Sequence, residues 1–400
     1  MAETAPSPAG PAAVLPAPRG WSPQTVLAVH YPAIAKSCRA ALPEIRALEA
    51  ELDRDEAAGR DTVRLRQAIG ELLWRLQYTG DAAAAADALG RVRALAAAPA
   101  SAHQPTRDAD GSLGVGTEIW FLKVDASVDA MLADDFDPGG TAPRFLDQVN
   151  DPVRLRTYLD SLLVSRLAED GFDRRKELNF ATANLVRLIL RGRPRGYSWD
   201  SRLGGVVRRF VADWQDAATG FFGADYELDG QRWRTADLSM TFHMARYLEG
   251  GIGHWPQLVD TLLGLRDDRY PNGWLDAEGM TSHNNYDVAV LLGFGWPHMR
   301  PDQRRRARHE LDRLLGWCLD TAIAPDGRVV ARAAGESLPD SYYFAAAFLD
   351  TVGFFDPGKR FWTDREFPQA PRLRARLEHR VLELHPNHPM MPLALDRLRR

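Results

Sequence analysis

The stretch NGWLDAEGMTSHNNYDVAVLLGF (residues 272–294) places a glycine turn before a polar segment and then an apolar one. The polar segment carries carboxylates, a histidine, two asparagines and a tyrosine, whereas the apolar segment reads Val-Ala-Val-Leu-Leu. A Ser or Thr directly before such an apolar run is typical of a capped helix start, and Ser282 is the expected cap. The stretch therefore predicts a loop that brings polar side chains to the start of a buried helix.

The same order recurs along the chain. Glycine turns are centred on Gly111, Gly171, Gly220, Gly273 and Gly327, at spacings of 60, 49, 53 and 54 residues. Each turn precedes a helix-like apolar segment, and an amphipathic helical segment such as residues 301–323 follows it. With an earlier pair over residues 61–98, the pattern predicts six helical hairpins. A closed ring of such hairpins leaves no apolar end exposed, unlike a solenoid.

We therefore expect an all-α protein folded as an (α/α)6 toroid, with short β segments only in loops. Residues 1–20 are rich in alanine and proline and are expected to form a disordered tail, and residues 21–400 a single toroid domain. The less polar helices are expected inside, so that the glycine-bearing loops and five helix N-termini meet at one mouth. Helix N-termini favour anions.

Composition excludes several classes of function. A net charge of −4 with interspersed signs gives no basic field for nucleic acid or anionic lipid. No apolar run approaches the ~20 residues of a membrane span, and no signal peptide is evident, which favours a cytoplasmic protein. Two distant cysteines do not indicate a disulfide framework. No sequence motif for a metal, nucleotide or other cofactor is present, so none is expected, and the oligomeric state is left open.

The repeat resembles the (α/α)6 toroid of carbohydrate-active enzymes, over about residues 61–384. That architecture is shared by glycoside hydrolases and polysaccharide lyases. The lyases combine an asparagine, a histidine and tyrosines with an assisting arginine, and these residue types occur at the predicted mouth. The resemblance implies a saccharide or other small-molecule substrate in a central cavity.

Candidate catalytic residues come from three of the helix starts. His283, Tyr286 and Asp287 are three and four residues apart and share a helix face. Asp340 and Tyr343 share a face in the same way, and Asp237 lies in a first turn, where the helix dipole stabilises a carboxylate. His243 lies deeper and is expected to be a core histidine. The candidates for substrate binding are Asn179, Asn284, Asn285, Arg234, Trp233, Trp274, Trp120, Glu118 and Tyr342.

Four functions fit these residues. The first is a lyase that cleaves an acidic saccharide by β-elimination, in which Asn179 or Asn284 with Arg234 neutralises the carboxylate, His283 is the base, and Tyr286 or Tyr343 is the acid. The second is an inverting glycoside hydrolase, which needs two carboxylates roughly 6.5–9.5 Å apart. The carboxylates available for it are Asp237, Asp287, Asp340, Glu118 and Glu336. The third is a terpene cyclase-like enzyme, and the fourth is a toroid that binds a ligand without turnover.

Overall fold

The computed structural model describes residues 14–399 apart from 19, 58–61, 99–107, 114–115, 135, 138–140, 334–335 and 385–389. The described part of the chain is mostly helical, as predicted. The helices are α1 (Pro23–His30), α2 (Pro32–Ala57), α3 (Val63–Tyr78), α4 (Ala82–Ala97), α5 (Trp120–Leu132), α6 (Pro152–Leu162), α7 (Leu167–Asp170), α8 (Arg175–Leu190), α9 (Leu203–Trp214), α10 (Leu238–Tyr247), α11 (Trp255–Gly264), α12 (Ser282–Gly295), α13 (Pro301–Trp317), α14 (Leu338–Thr351), α15 (Ala370–Leu382) and α16 (Met390–Arg399). The strands are β1 (Val14–Pro16), β2 (Val164–Ser165), β3 (Asp225–Leu228) and β4 (Gln231–Arg234).

Among the described helices, α5, α8, α10, α12, α14 and α16 form an inner row. Each of them contacts the next one in that order. Buried residues occupy nearly all faces of α8, α12 and α14, in accordance with the apolar segments of the repeat. The order of contacts supports alternation of inner and outer helices, and closure of the row into a ring stays a prediction.

The outer helices cover the inner row with one apolar face each. Helices α6 and α9 pack together and against α8, α11 packs on α12 and α13, and α15 packs on α14 and α16. Helix α13 buries Ala307, Leu311, Leu314 and Leu315 along one stripe and leaves its arginines outside. This stripe has the 3.6-residue period of an amphipathic helix, which is why sequence reasoning could place it.

The glycine turns are required by backbone shape or by space. Gly220 has φ +72°, a left-handed conformation that residues with a Cβ rarely adopt, and a Cβ there would lie 2.5 Å from the backbone nitrogen of Leu258. At Gly273 a Cβ would lie 2.4 Å from the carbonyl oxygen of Leu265. The loop that precedes α12 therefore packs directly against the end of α11 through bare backbone.

The helix caps lie close to the positions expected from the sequence, but not at them. Thr281, rather than Ser282, caps α12 by accepting the N–H of Asn284, and Ser337 caps α14. Asp237 caps α10 through the N–H of Met240. Each true cap lies outside the helix in extended backbone, which allows its side chain to turn back to the first N–H groups.

A small sheet joins the chain's N-terminal segment to the loop before α10. Its strand order is β1-β4-β3-β2, with β1 parallel to β4 and β3 antiparallel to β4. Val14 pairs with Arg232 and Pro16 with Arg234, so the prediction of a disordered segment over residues 1–20 is wrong for this part. Residues 1–13 and 19 lie outside the described residues. Helices α1–α4 form their own apolar cluster, which includes Ile45 and Leu72.

No helix within the described ranges has both the length and the apolar character needed to cross a membrane.

Candidate functional site

His283 lies in the first turn of α12, on a surface formed by the successive helices α10, α12 and α14, which we call the wall. Its side chain keeps 37% of its surface exposed, yet burial lowers its pKa to about 4. The side chain is thus partly accessible and partly enclosed by its neighbours. The ring stacks on Phe344 with centroids 4.0 Å apart, and Tyr270 lies at 6.1 Å. His283 is therefore a neutral imidazole at pH 7, held in place by an aromatic neighbour.

Two tyrosines lie beside Phe344, and each of them contacts an arginine. The Arg246 guanidinium lies 5.6 Å from the centre of the Tyr286 ring and donates to the Tyr343 hydroxyl at 3.4 Å. From α16, Arg397 donates to the Tyr286 hydroxyl at 3.4 Å and to Asp350 at 3.2 Å. Tyr286 thus has one cation at its ring face and another at its hydroxyl.

Arg246 has no carboxylate partner among the described residues. Its guanidinium instead lies over the rings of Phe242, Tyr247 and Tyr286, at 5.6 Å from each. The side chain is only half-buried. Most arginines at this depth are paired, as Arg187 is with Asp129 at 2.6 Å. An accessible cation amid aromatic rings is suited to bind an anionic group.

A hydrogen-bonded group joins α8 to α10. The Asn179 side chain donates through Nδ2 to the Ser239 hydroxyl at 2.9 Å, and its Oδ1 lies 2.8 Å from His243 Nδ1. His243 stacks on Tyr247 with ring centroids 5.5 Å apart. Burial lowers the pKa of His243 to about 3, and the neighbouring Arg246 acts in the same direction. A second neutral imidazole therefore belongs to this wall, and the expectation that His243 is only a core residue omits its accessible edge.

Both carboxylate oxygens of Asp237 are hydrogen-bonded within the protein. It is 0% exposed, caps α10 and accepts a hydrogen bond from Arg175 Nε at 2.5 Å. Arg175 in turn lies beside the Tyr78 hydroxyl at 3.5 Å. One oxygen of Asp237 thus has a helix N–H as its partner and the other a guanidinium, which leaves neither oxygen free for a substrate.

Asp287 and Asn285 have unused polar atoms. Asp287 is 1% exposed, its Oδ1 has no hydrogen-bond partner, and its Oδ2 lies 3.9 Å from His283 Nε2. Burial raises the pKa of Asp287 well above its ordinary value. Both side-chain atoms of Asn285 are buried without a partner. Since buried polar groups are normally hydrogen-bonded, these atoms mark where a ligand or water belongs.

Two acidic groups lie at the start of α14. Burial raises the pKa of Glu336 to about 7, and its Oε1 has no partner. The nearby Asp340 and Asp276 also favour its protonated form. Asp340 lies half-buried in the first helical turn, as expected. With a pKa of about 7, Glu336 is present in both its protonated and its ionised form at neutral pH.

The structure gives Arg234 and Trp233 other partners. Both lie in β4, where Arg234 makes two hydrogen bonds to Asp225, at 2.6 and 3.0 Å. Trp233 donates to the Gln231 side chain at 3.1 Å and packs edge-on against Trp21. Both residues thus have partners in or beside the small sheet, which helical periodicity does not predict, and their role in substrate binding stays a prediction.

Three further residues of the predicted binding set are buried. Trp274 is 1% exposed and packs in the core, and Asn284 donates to the Trp274 carbonyl at 2.9 Å. Tyr342 is buried, and Arg380 and Asp326 lie near its hydroxyl. All three side chains are almost fully buried, and their role in substrate binding stays a prediction.

The start of α5 lies apart from the wall described above. Trp120 donates to the Phe145 carbonyl at 2.6 Å and packs edge-on against Tyr158. The Glu118 side chain is 97% exposed and pairs with Lys123 at 3.2 Å. Neither residue has a hydrogen bond, ion pair or ring contact with His283 within the described ranges, and their role in substrate binding stays a prediction.

The structure thus brings together His283, Tyr286, Asp287 and Tyr343 of the predicted catalytic set. Asn285 lies on α12 with three of them, and Asn179 lies on the neighbouring helix α8. Sequence reasoning missed Arg246, Arg397 and Tyr270. Arg246 had a signal, because it is the charged residue of an otherwise apolar inner segment, "SMTFHMARYL". Arg397 had none, since the terminal helix carries several arginines and the repeat does not include it.

Across the described residues, no group of three or more His, Cys, Asp or Glu side chains is placed to hold a metal ion. No protein-family model matches the chain, and no characterised protein or solved structure matches it.

Proposed function

We propose that the chain is a carbohydrate-active enzyme that cleaves an acidic saccharide by β-elimination. The observation that carries this proposal is Arg246, an accessible guanidinium with no carboxylate partner among the described residues. A uronic-acid carboxylate is an anion of the size and shape that a guanidinium binds with two parallel hydrogen bonds. Neutralising it stabilises the enolate that forms when the adjacent carbon loses its proton.

The same wall supplies groups for proton transfer. His283 and His243 have lowered pKa values, at about 4 and 3, so both are unprotonated at pH 7 and able to accept a proton. Tyrosines lie beside them, and burial raises the pKa of Tyr286, which keeps its phenol protonated until a leaving oxygen needs the proton. Removal of the C–H proton, cleavage of the bond to the leaving oxygen and protonation of that oxygen balance without water.

The test is an absorbance assay on a panel of uronic-acid polymers. β-Elimination leaves a C=C bond conjugated to the carboxylate, and this product absorbs in the near ultraviolet. We expect turnover with at least one polymer, a loss of more than 100-fold with Arg246→Met, and partial activity with Arg246→Lys. Arg156→Met is the matched control, because Arg156 lies on the outer helix α6 and pairs with Asp160 and Asp213. Absence of an absorbing product from every polymer would contradict the proposal.

An inverting glycoside hydrolase is the second candidate, and Glu336 favours it. A carboxylic acid whose pKa is about 7 suits a general acid, and Asp287 is a predicted carboxylate with one oxygen that has no hydrogen-bond partner. Asp237 and Glu118 do not suit this role, for the reasons given above. New reducing ends without ultraviolet absorbance, lost in Glu336→Gln, would support hydrolysis instead of elimination.

The remaining alternatives are less well supported by the wall. A terpene cyclase-like reaction needs an apolar cavity, whereas Arg246, His283 and Asp287 make the wall polar. A ligand-binding toroid without turnover would bind an acidic saccharide through Arg246 and release it unchanged. A saccharide substrate and a cytoplasmic location stay predictions.

A further inference from the structure

Asn179 connects His243 and Ser239 by hydrogen bonds whose direction follows from the orientation of its side-chain amide. Its Nδ2 donates to the Ser239 hydroxyl at 2.9 Å, and its Oδ1 lies 2.8 Å from His243 Nδ1. An amide nitrogen can only donate, and an amide oxygen can only accept. Asn179 and Ser239 are both buried, so water does not compete for these bonds.

This direction selects one tautomer of His243. Because Asn179 Oδ1 is an acceptor, His243 Nδ1 must carry the hydrogen, and a neutral imidazole has only one. Its Nε2 is therefore an unprotonated nitrogen. No group in the described residues bonds Nε2, and it is not among the fully enclosed polar atoms without a partner, so it keeps some accessible surface.

At the other end of this hydrogen-bonded group, the Ser239 side chain lies beside Tyr270. Since the Ser239 oxygen accepts from Asn179, its own hydrogen is free for the Tyr270 phenol oxygen. Burial raises the pKa of Tyr270, and the Ser239 contact acts against this rise, as expected of a donor to the phenol oxygen. The Tyr270 hydrogen then has no acceptor in this group, and the His283 ring lies 6.1 Å from the Tyr270 ring.

We propose that Asn179 is a positioning residue that makes His243 Nε2 the proton acceptor and the Tyr270 hydroxyl the proton donor of the elimination. The inference rests on the proposed function. His243 Nε2 takes the proton from the carbon beside the carboxylate, the electron pair forms the C=C bond as the bond to the leaving oxygen breaks, and Tyr270 protonates that oxygen. The resulting imidazolium and phenolate return to their neutral forms by exchange with solvent.

Nitrogen NMR of protein labelled with ¹⁵N in histidine tests the tautomer without any assay of turnover. The chain has ten histidines, so the His243 signals are assigned by their loss in His243→Gln. At pH 7 we expect a protonated Nδ1 and an unprotonated Nε2. Asn179→Asp keeps the acceptor and should keep this tautomer. Asn179→Leu removes the acceptor, so a protonated Nε2 should appear and turnover should fall at least 100-fold.

Asn184→Leu is the matched control, because Asn184 is an equally buried asparagine on α8 that donates to Asp125 at 2.9 Å. It should leave the His243 signals unchanged. A protonated Nε2 in the wild-type protein, or the same change of tautomer in Asn184→Leu, would overturn the inference. If Asn179→Leu does not fold, the wild-type spectrum still decides. Absence of turnover on all polymers would overturn the proposed function. The NMR spectra do not depend on turnover, so the two results can be told apart.

Discussion

The helices α10 and α12 each hold a buried carboxylate near their start, and the two carboxylates have opposite surroundings. Asp237 uses both oxygens, one for the N–H of Met240 at 3.0 Å and one for Arg175 at 2.5 Å. Asp287 leaves Oδ1 without a partner, and its closest basic neighbour is His283 at 3.9 Å. Both are essentially inaccessible, at 0% and 1% exposure.

The difference separates a group that stabilises the fold from one that is available for chemistry. A buried charge with all its hydrogen bonds made adds to stability or is neutral, whereas a buried polar atom left without a partner costs free energy. A protein keeps such a cost where a ligand supplies the missing partner. We therefore interpret the start of α10 as structural and the start of α12 as functional.

Asp237→Ala should have the largest effect on stability. It leaves Arg175 buried without its carboxylate, which typically costs ~3–5 kcal/mol, and it removes the cap of α10. Urea denaturation followed by circular dichroism measures the loss. Asp237→Asn should lose less, because asparagine is also a good cap. A loss below ~1 kcal/mol in Asp237→Ala would show that Arg175 finds another partner and that the contrast with Asp287 is not real.

Acid should destabilise the protein through His243. Its pKa is about 3 in the folded state, below the ordinary value of ~6.5, so between these values the unfolded chain binds a proton that the folded chain does not. Its contribution to stability is therefore complete above pH ~6.5 and is lost as the pH falls towards 3. Because the ring is half-buried and partly screened, we expect a loss on the order of 1–2 kcal/mol between pH 6.5 and 4.5.

Urea denaturation at several pH values checks this prediction. In His243→Gln, the free energy of unfolding should change less with pH than in the wild type. His379→Gln, on an exposed face of α15, is the control and should follow the wild type. A wild-type profile as flat as that of His243→Gln would contradict the prediction.

Asp287→Asn should change stability little and binding strongly. Asparagine has nearly the same volume and removes a carboxyl group that burial disfavours in its charged form, so stability should shift by less than ~1 kcal/mol or rise. Binding of an acidic oligosaccharide, measured by calorimetry, should weaken at least tenfold if Oδ1 contacts it. A large loss of stability with unchanged binding would make Asp287 a structural residue like Asp237.

The alternation of inner and outer helices could be predicted from the sequence because inner helices are almost continuously apolar after a glycine turn, whereas outer helices such as α13 carry one apolar stripe. Sequence reasoning predicted only some of the residues of the site, and the reason is physical. Residues on one helix face, such as His283 and Asp287, are related by sequence spacing alone. Arg397 reaches Tyr286 across 111 positions, and no local pattern encodes such a contact.

The small sheet gives two of the predicted binding residues partners that the sequence did not indicate. Arg234 and Trp233 lie next to a glycine turn and were expected at the mouth, but the four-residue strands β3 and β4 direct them to Asp225 and Gln231. Strands of four residues contain too few alternations of apolar and polar side chains to be recognised from the sequence. Similarly, Asn284 is polar in sequence but bonds a carbonyl of its own loop, which only the folded backbone defines.

Glu118→Gln should have the smallest effect, because Glu118 is the third kind of carboxylate in this protein, one in contact with water. Its side chain is 97% exposed, and its partner Lys123 also binds Asp110 at 3.1 Å, so the ammonium keeps a partner in the variant. Exposed ion pairs contribute little, and stability should change by ~0.5 kcal/mol or less. Turnover on any polymer that the wild type cleaves should stay within twofold. A tenfold drop would place α5 in the functional wall and show that a solvated carboxylate, rather than the buried Asp287 or Glu336, takes part in the reaction.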